Sequence, residues 1–323
     1  MKVLFLNRAK NFGFSFEELF TTIKQHLTKC ETLNFYDKTY SGFFKNLTAV
    51  KKTKCDVIHI TGGVGYYALF LPTKKTILTI HDTNHYEFDL KGIKKWLYGW
   101  IFYRIPMMNV KYVTVVSEHT KHNLIRFFGT KESKIKVIPN CYPSGFKQEN
   151  QPILSSPVKL LQIGTKPNKN LKRLIEAIKG MNIKLTIIGK LNEELIHTLK
   201  KSEINYENKL NLSREEIYRE YIDCNIVVFV SLREGFGLPI IEANVVGRPV
   251  ISSNISSMPE VAGTSACLVN PLNIDEIKAG ILKIIENESY RFELIKNGFE
   301  NAKKYSPNLI AGYYEQLYSE IAI

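Results

Sequence analysis

The sequence has few cysteines and no motif that would pair them. Its five cysteines lie far apart without a C-x-x-C pair, which argues against a disulfide framework and indicates reduced thiols. A D-x-D carboxylate pair is also absent, so we expect no metal ion and no cofactor. The apolar run near the N-terminus is too short for a secretion signal, and no segment approaches the roughly 18 apolar residues that span a bilayer. We therefore expect a cytoplasmic protein.

Acidic residues are scarce in only one half of the chain. The formal charge of the whole chain is +13, but residues 1–150 contain 23 Lys and Arg against 11 Asp and Glu, whereas residues 151–323 contain 21 against 20. A basic N-terminal half favours an anionic partner, and charge alone leaves phosphate groups, lipid headgroups and nucleic acid open. The alternative is a lysine-rich surface that only keeps the protein soluble.

Short aliphatic runs alternate with longer amphipathic stretches along both halves of the chain. Such alternation is typical of parallel βαβ units. In the first half, we predict strands at residues 3–7, 57–60, 76–80, 112–117 and 135–140. In the second half, we predict strands at residues 159–164, 184–189, 225–231 and 249–254. The predicted fold class is therefore α/β, with two Rossmann-like doubly wound parallel sheets.

The connection between the two sheets is predicted where apolar periodicity is lost. Residues 141–157 are rich in Pro, Ser and Gly, so we place the boundary near Asn150 and expect domains at 1–150 and 151–305. Residues 306–323 carry apolar residues at helical spacing, which predicts a final packed helix.

The segment 231–254 follows a predicted strand and contains a glycine-rich turn. Gly235 and Gly237 permit tight backbone geometry, and Pro239 suits the first position of a helix that ends at Gly247. Free N–H groups at the start of such a helix lie at the carboxyl edge of the sheet, where doubly wound proteins bind ligands. This segment therefore predicts a site for a phosphorylated or polyhydroxylated ligand.

Two carboxylates flank this turn. Glu234 lies just before the glycines, and Glu242 is expected in the first turn of the following helix. Carboxylates accept hydrogen bonds from vicinal hydroxyls, so the pair could hold two sugars of one nucleotide sugar. The alternative is that Glu242 only stabilises the helix dipole and that Glu234 is a solvated loop residue.

The run E-G-F-G-L-P-I-I-E from Glu234 to Glu242 resembles the E-x7-E signature of the retaining GT-B glycosyltransferases of family 4. This family includes bacterial polysaccharide and glycolipid mannosyl- and glucosyltransferases. The resemblance covers most of residues 159–306, and the N-terminal half is similar only loosely. It implies two Rossmann-like domains that face a cleft, with a last helix that crosses back to the N-terminal domain.

The same resemblance implies roles for the residues of this motif. Glu234 would contact hydroxyls of the transferred sugar, and Glu242 would hold the ribose hydroxyls. Phe236, Gly237 and Leu238 would place backbone amides at the sugar and the phosphates.

A second phosphate-binding element is predicted in QIGTKPNKNLKRLIEA, residues 162–177. The family usually has an Arg or Thr after the glycine and a Lys ahead of the helix, and Thr165 and Lys169 take these places here. A lysine at this position would neutralise the departing diphosphate. Lys166 is a rival for that role, because the loop is slightly short, and a solvated lysine is the alternative for either.

In the first half, His81 and Asp82 follow a predicted buried strand. The segment resembles the family's strand-then-His element, which would place His81 near the donor sugar and, with Glu234, among the catalytic residues. Asp82 would orient His81 or cap a turn. The loop NFGFS, residues 11–15, would approach the phosphates or the acceptor through Gly13, although many relatives have two glycines there.

Three further polar sites are interpreted as structural. Ser117 is expected to cap the helix that begins at Glu118, and Ser213 with Glu216 forms an S-x-x-E capping box. Glu260 is also expected to be structural.

Residues 91–108 interleave basic residues with both tryptophans of the chain. Such a segment could lie at a membrane interface, which would make the protein peripheral on the inner face of the membrane. The alternative is a core helix with a basic outer face.

From these features, we expect a retaining glycosyltransferase that uses a UDP- or GDP-sugar. Its acceptor would be a hydroxyl of a glycan or polyprenyl-diphosphate-linked saccharide in bacterial surface polysaccharide assembly. Nucleic acid is not an expected partner of this enzyme. The alternative is a non-catalytic nucleotide-sugar or nucleic-acid binding protein that uses the basic N-terminal half.

Overall fold

The computed structural model describes residues 1–8, 15–37, 42–150 and 153–322. The chain forms two compact units, a first unit of Met1–Pro143 with Ser306–Ile323 and a second unit of Ser144–Tyr305. The division falls before the predicted boundary near Asn150, because the segment that follows Pro143 is bonded within the second unit. The Glu149 carboxylate there accepts a hydrogen bond from the phenol of Tyr218 at 2.5 Å.

The first unit contains a parallel sheet that has six strands among the described residues, in the order β2-β1-β3-β4-β5-β6. The strands are β1 Lys2–Asn7, β2 Glu31–Tyr36, β3 Val57–Ile60, β4 Thr76–Ile80, β5 Tyr112–Val115 and β6 Ile135–Val137. The helices are α1 Ser15–His26, α2 Phe43–Lys52, α3 Gly92–Gly99, α4 Ile105–Met108, α5 Glu118–Phe128 and the C-terminal helix Pro307–Ala322. Five residues in π-helical conformation, Trp100–Arg104, join α3 to α4.

Both faces of this sheet are covered, so its central strands read as continuous apolar runs. In β1, Leu4 and Leu6 belong to a core on one face, and Val3 and Phe5 belong to a core on the other. This division follows from the alternation of side chains along a strand.

The C-terminal helix packs within the first unit, against the β1 face that holds Phe5. Its buried residues include Ile310, Tyr314 and Tyr318. The phenol of Tyr318 is hydrogen-bonded to the imidazole of His59 in β3 at 2.6 Å. The residues after the second unit therefore complete the core of the first.

The second unit contains another parallel sheet of six strands in the described part of the chain, in the order β9-β8-β7-β10-β11-β12. The strands are β7 Val158–Ile163, β8 Ile183–Ile188, β9 Asn205–Lys209, β10 Ile226–Phe229, β11 Val250–Ser253 and β12 Ala266–Val269. The helices are α6 Leu171–Ile178, α7 Glu193–Lys201, α8 Arg214–Asp223, α9 Leu238–Val246, α10 Met258–Ala262, α11 Ile274–Glu286 and α12 Glu288–Lys303.

The strand order of each sheet reverses at one place. Chain progress changes direction between β1 and β3 in the first sheet and between β7 and β10 in the second. Doubly wound sheets bind ligands at the carboxyl ends of the strands beside such a reversal. The predicted α/β class with two doubly wound sheets is confirmed, and each predicted run contains a strand.

Among the described residues, no helix is both long and apolar enough to cross a membrane.

Candidate functional site

Two loops meet at the strand reversal of the second sheet. One follows β7 and contains a short 3-10 turn, Pro167–Lys169, ahead of α6. The other follows β10 and leads into α9. The backbone N–H of Leu232 donates to the carbonyl of Asn168 at 2.7 Å, and the Asn170 amide donates to the carbonyl of Val230 at 3.0 Å. These bonds fix the two loops side by side.

Lys169 and Glu234 form an ion pair across these loops. The ammonium Nζ of Lys169 donates to Oε1 of Glu234 at 2.6 Å, and the two side chains are 20% and 17% exposed. The amide of Asn168 donates to the same oxygen at 3.3 Å. Because an ammonium carries three N–H donors, Lys169 could also bind a phosphate oxygen while it holds Glu234.

Gly164 makes room for the Lys169 side chain at the end of β7. It has a φ of +90°, and a Cβ there would lie 3.1 Å from Cγ and Cε of Lys169. The rival Lys166 is exposed. The hydroxyl of Thr165 donates to the carbonyl of Lys190 at 2.6 Å, so its proton is already used and it offers lone pairs to a ligand.

The turn between Glu234 and α9 is fixed by the loop after β11. The Ser257 hydroxyl lies 3.0 Å from the carbonyl of Glu234 and 2.7 Å from that of Phe236. Phe236 is buried with its ring edge against Tyr305. Gly237 precedes α9 with a φ of 127°, which favours glycine.

Leu238 is the first residue of α9, so Pro239 occupies the second position rather than the predicted first. Gly237 brings no side chain to cap the helix. Pro239 has no N–H, and the N–H of Ile240 donates to the carbonyl of Gly237 at 3.0 Å, so the backbone N–H of Leu238 is the candidate donor of this turn for a ligand. This arrangement is suited to an anionic ligand.

Glu242 is buried in α9, and the prediction that it lies in the first turn is wrong. It is the fifth residue of the helix, which has no acidic residue in its first turn. Its Oε1 accepts from Nη1 of Arg214 at 2.9 Å, and its Oε2 accepts from the phenol of Tyr221 at 2.6 Å. The helix-dipole alternative therefore does not explain Glu242, since its carboxylate is oriented by two side chains of α8.

Sequence reasoning missed both partners of Glu242. Burial and the Glu242 charge raise the pKa of Tyr221 well above its usual value, so the phenol stays protonated and donates. Arg214 and Tyr221 are separated by two helical turns and share one face of α8. From the sequence, this spacing indicates only that the two side chains lie near each other on the helix. No local sequence pattern relates either of them to Glu242.

In the first unit, His81 lies directly after β4 and is buried. Its Nε2 is 2.7 Å from the carbonyl of Thr61, which can only accept, so Nε2 carries the proton. Burial lowers the pKa of His81 to about 4, and the neutral ring then presents Nδ1 as an acceptor. A Cβ on Gly62 would lie 2.8 Å from the ring, so Gly62 is required for this position.

The remaining predicted residues of the first unit have separate positions. The carboxylate of Asp82 accepts from the backbone N–H of Asn84 at 2.9 Å, which caps a turn. Gly13 lies outside the described residues. Arg8, which the sequence analysis missed, follows β1 at the strand reversal and is paired with Glu17 at 2.5 Å.

Two predicted helix caps are confirmed. The Ser117 hydroxyl accepts from the N–H of Thr120 at the start of α5. Ser213 and Glu216 form both bonds of a capping box at the start of α8. Glu260 lies in the first turn of α10, as suits a structural acid.

Within the described ranges, no group of three or more His, Cys, Asp or Glu side chains is placed to hold a metal ion. Metal independence stays a prediction.

Two protein-family models match the chain. Residues 146–301 match the model of glycosyl transferases group 1, and residues 14–144 match the model of glycosyltransferase family 4. The chain belongs to the group 1 glycosyltransferases. The matched ranges include every predicted donor-site residue of this glycosyltransferase except Gly13.

The group 1 glycosyltransferase has named relatives. It is 36% identical over 92 residues to O-antigen chain mannosyltransferase B of Escherichia coli, a match that spans 28% of this chain and 24% of the relative's own length. It is 23% identical over 289 residues to the MMP alpha-(1→4)-mannosyltransferase of Mycolicibacterium hassiacum, across 82% of this chain and 70% of the relative.

The glycosyltransferase also resembles a solved structure across nearly its whole length. The crystal structure of Anabaena Alr3699/HepE in complex with UDP and glucose superposes with a TM-score of 0.81 at 16% identity, covering 99% of this chain and 100% of that chain. This likeness shows the GT-B fold, as the E-x7-E motif implied.

Proposed function

We propose that the protein transfers a sugar from a nucleoside-diphosphate sugar to an acceptor hydroxyl, with retention of the anomeric configuration. The observation that carries the proposal is the Lys169–Glu234 pair beside the glycine turn of α9, at the strand reversal of the second sheet. A cation, a carboxylate and a helix N-terminus meet there, which suits a ligand with both phosphates and hydroxyls.

Each group has a place in the proposed reaction. As the bond from the anomeric carbon to the phosphate oxygen breaks, negative charge grows on the diphosphate, and Lys169 and the N–H of Leu238 at the start of α9 stabilise it. Glu234 accepts hydrogen bonds from hydroxyls of the transferred sugar, and Glu242 accepts them from the ribose. The acceptor oxygen bonds to the anomeric carbon on the same face, and its proton passes to the departing phosphate. The role of His81 near the donor sugar, which the family resemblance implies, stays a prediction.

The relatives support a hexose donor and a saccharide acceptor. Two of them are named as mannosyltransferases, one of an O-antigen chain, and HepE was crystallised with UDP and glucose. We propose a UDP- or GDP-hexose as donor and a glycan or polyprenyl-diphosphate-linked saccharide as acceptor, in bacterial surface polysaccharide assembly. A lipid-linked acceptor lies at a membrane surface, which the enzyme would have to reach.

A thermal-shift panel of UDP-, GDP- and dTDP-sugars without metal tests the donor site. We expect one nucleotide class to stabilise the wild type and Lys169→Ala to abolish this stabilisation. Lys166→Ala is the matched control, because Lys166 lies in the same loop but is exposed. If a nucleotide sugar stabilises the Lys169→Ala variant as much as the Lys166→Ala variant, Lys169 does not belong to the donor site.

Turnover of the stabilising donor separates an enzyme from a binding protein. We expect Glu234→Gln to lower kcat about 100-fold or more, because an interaction of the transition state is lost while the side chain keeps its size. NMR of the glycosidic product reports the anomeric configuration. An inverted product would refute the retaining mechanism, and donor binding without turnover on any saccharide acceptor would favour the non-catalytic alternative.

A further inference from the structure

The helical segment 92–108 of the first unit exposes large apolar side chains. Ile93 is 70% exposed, Trp96 56% and Met108 65%. Three more exposed apolar residues of the segment are Leu97, Ile101 and Phe102. We call this surface the aromatic ridge. The alternative from the sequence, a core helix whose outer face is merely basic, does not describe it.

The spacing of these residues shows that the exposed face is a continuous stripe. Ile93, Trp96, Leu97, Trp100 and Ile101 follow the i, i+3, i+4, i+7, i+8 pattern. In a surface helix of a globular protein, this pattern marks the stripe that faces the core. Here each residue of the stripe is at least partly exposed to solvent. An apolar environment outside the protein would therefore suit this face.

The opposite face of the same segment supplies the packing that holds it in place. Tyr103, Pro106 and Met107 are buried, and Gly99 lies so close to Tyr86 that a Cβ would be 2.7 Å from its ring. Because the segment is anchored through these residues, the exposed stripe is not needed to secure it to the first unit.

The ridge is also uniformly basic. Residues 91–108 contain Lys91, Lys94, Lys95 and Arg104 and no acidic residue. Lys91, Lys94 and Arg104 are exposed, and the guanidinium of Arg104 lies 4.6 Å from the ring centre of Trp100. Arginine and lysine beside indole rings match the headgroup level of an anionic bilayer, where the rings meet acyl chains and the cations meet phosphates.

We propose that the aromatic ridge docks the protein on the surface of an anionic lipid bilayer. Aliphatic side chains such as Ile93 and Leu97 offer no π-face to stack on nucleobases, which disfavours a nucleic-acid groove. A second copy of the chain would set basic residues against basic residues. The inference does not depend on sugar transfer, although it would bring the enzyme to a lipid-linked acceptor.

Tryptophan emission reports this surface directly, because Trp96 and Trp100 are the only tryptophans in the chain. The full-length protein is mixed with vesicles of phosphatidylcholine alone or of equal parts phosphatidylcholine and phosphatidylglycerol. We expect a blue shift and co-sedimentation with the anionic vesicles, and both should weaken as salt rises and screens the charges. Equal binding to neutral vesicles would overturn the assignment to an anionic surface.

Two sets of substitutions locate the binding surface. Ile93→Gln, Leu97→Gln and Ile101→Gln together should weaken vesicle binding by about tenfold or more while they retain both tryptophans. The matched control is Phe44→Gln with Tyr313→Gln, which replaces exposed aromatic residues elsewhere in the first unit and should bind as the wild type. Circular dichroism confirms that each variant is folded.

Three further outcomes would overturn the proposal. They are no binding to anionic vesicles, binding without a change in tryptophan emission, and equal binding of the ridge and control variants. The vesicles contain neither donor nor acceptor, so these outcomes leave the proposed transfer reaction untouched. Conversely, a failed transfer assay would not affect the vesicle result.

Discussion

At the residue scale, the carboxylate of Glu242 is oriented by the protein before any ligand contact is considered. Arg214 and Tyr221 each donate to one of its oxygens at 2.9 and 2.6 Å. A buried carboxylate held by two donors presents its remaining lone pairs in fixed directions. If Glu242 binds the ribose hydroxyls, Tyr221 is a positioning residue for donor binding rather than for the chemical step.

We therefore expect Tyr221→Phe to raise the donor KM about tenfold or more with little change in kcat. A hydrogen bond to a charged group is worth about 1.5–3 kcal/mol, and the ribose hydroxyls that Glu242 is proposed to hold are not part of the bond that breaks. The measurement is a donor titration of initial rates for the folded variant. Tyr218→Phe is the control, since its phenol on the same helix donates to Glu149 instead. A loss confined to kcat would contradict the positioning role.

The site residues could be predicted only as far as local sequence determines them. Lys169 and Glu234 each belong to a strand, turn and helix that can be recognised within about a dozen residues. Their mutual ion pair joins positions 65 residues apart, and the contact of Tyr221 with Glu242 depends on how α8 packs beside α9. Such contacts are set by tertiary packing, which no local pattern encodes.

At the element scale, the strands missed from sequence lie at the edges of the sheets. They are β2, β9 and β12. An edge strand has one neighbour and needs fewer buried residues, and β2 and β9 are accordingly half-exposed along their length. The central strands were predicted because burial on both faces demands a continuous apolar run.

The C-terminal helix is joined to the first sheet through a fully buried histidine. The Nδ1 of His59 pairs with the phenol of Tyr318 at 2.6 Å and its Nε2 with the hydroxyl of Thr79 at 2.7 Å. Burial and the neighbouring His81 lower the pKa of His59 to about 3. The folded state therefore keeps His59 neutral where the unfolded chain, with a pKa near 6.5, takes up a proton.

This difference predicts a loss of stability as pH falls from about 6.5 towards 3. For His59, the loss between pH 7 and pH 5 should be about 2 kcal/mol, because the unfolded state binds one more proton below its own pKa. The measurement is the free energy of unfolding of the first unit in urea at each pH. Pulsed hydrogen exchange of β3 and β4 peptides, at one labelling pH, monitors the unfolding. His59→Gln should reduce the pH dependence by that amount, whereas His122→Gln, at an exposed position in α5, should leave it unchanged.

At the scale of the whole molecule, the first unit is assembled from the two ends of the chain. The C-terminal helix contributes Ile310, Tyr314, Leu317 and Tyr318 to the core that contains Phe5 and Phe20. Its Glu315 carboxylate accepts from the backbone N–H of Lys29 at 2.6 Å, beyond the end of α1. A boundary near Asn150 does not by itself describe this unit, to which the family resemblance adds residues 306–323 as a last helix that crosses back to the N-terminal domain.

We expect a chain that ends at Tyr305 to lose the folded first unit. Burial of each large apolar side chain contributes about 1.5–3 kcal/mol, so four of them account for roughly the whole stability of an ordinary domain. Hydrogen exchange of β1 and β3 peptides should then be close to that of an unfolded chain. A chain that ends at Tyr318 is the control, because it keeps every buried residue of the helix and should protect these strands as the full chain does. Protection of β1 in the shorter chain would show that the sheet folds without the helix.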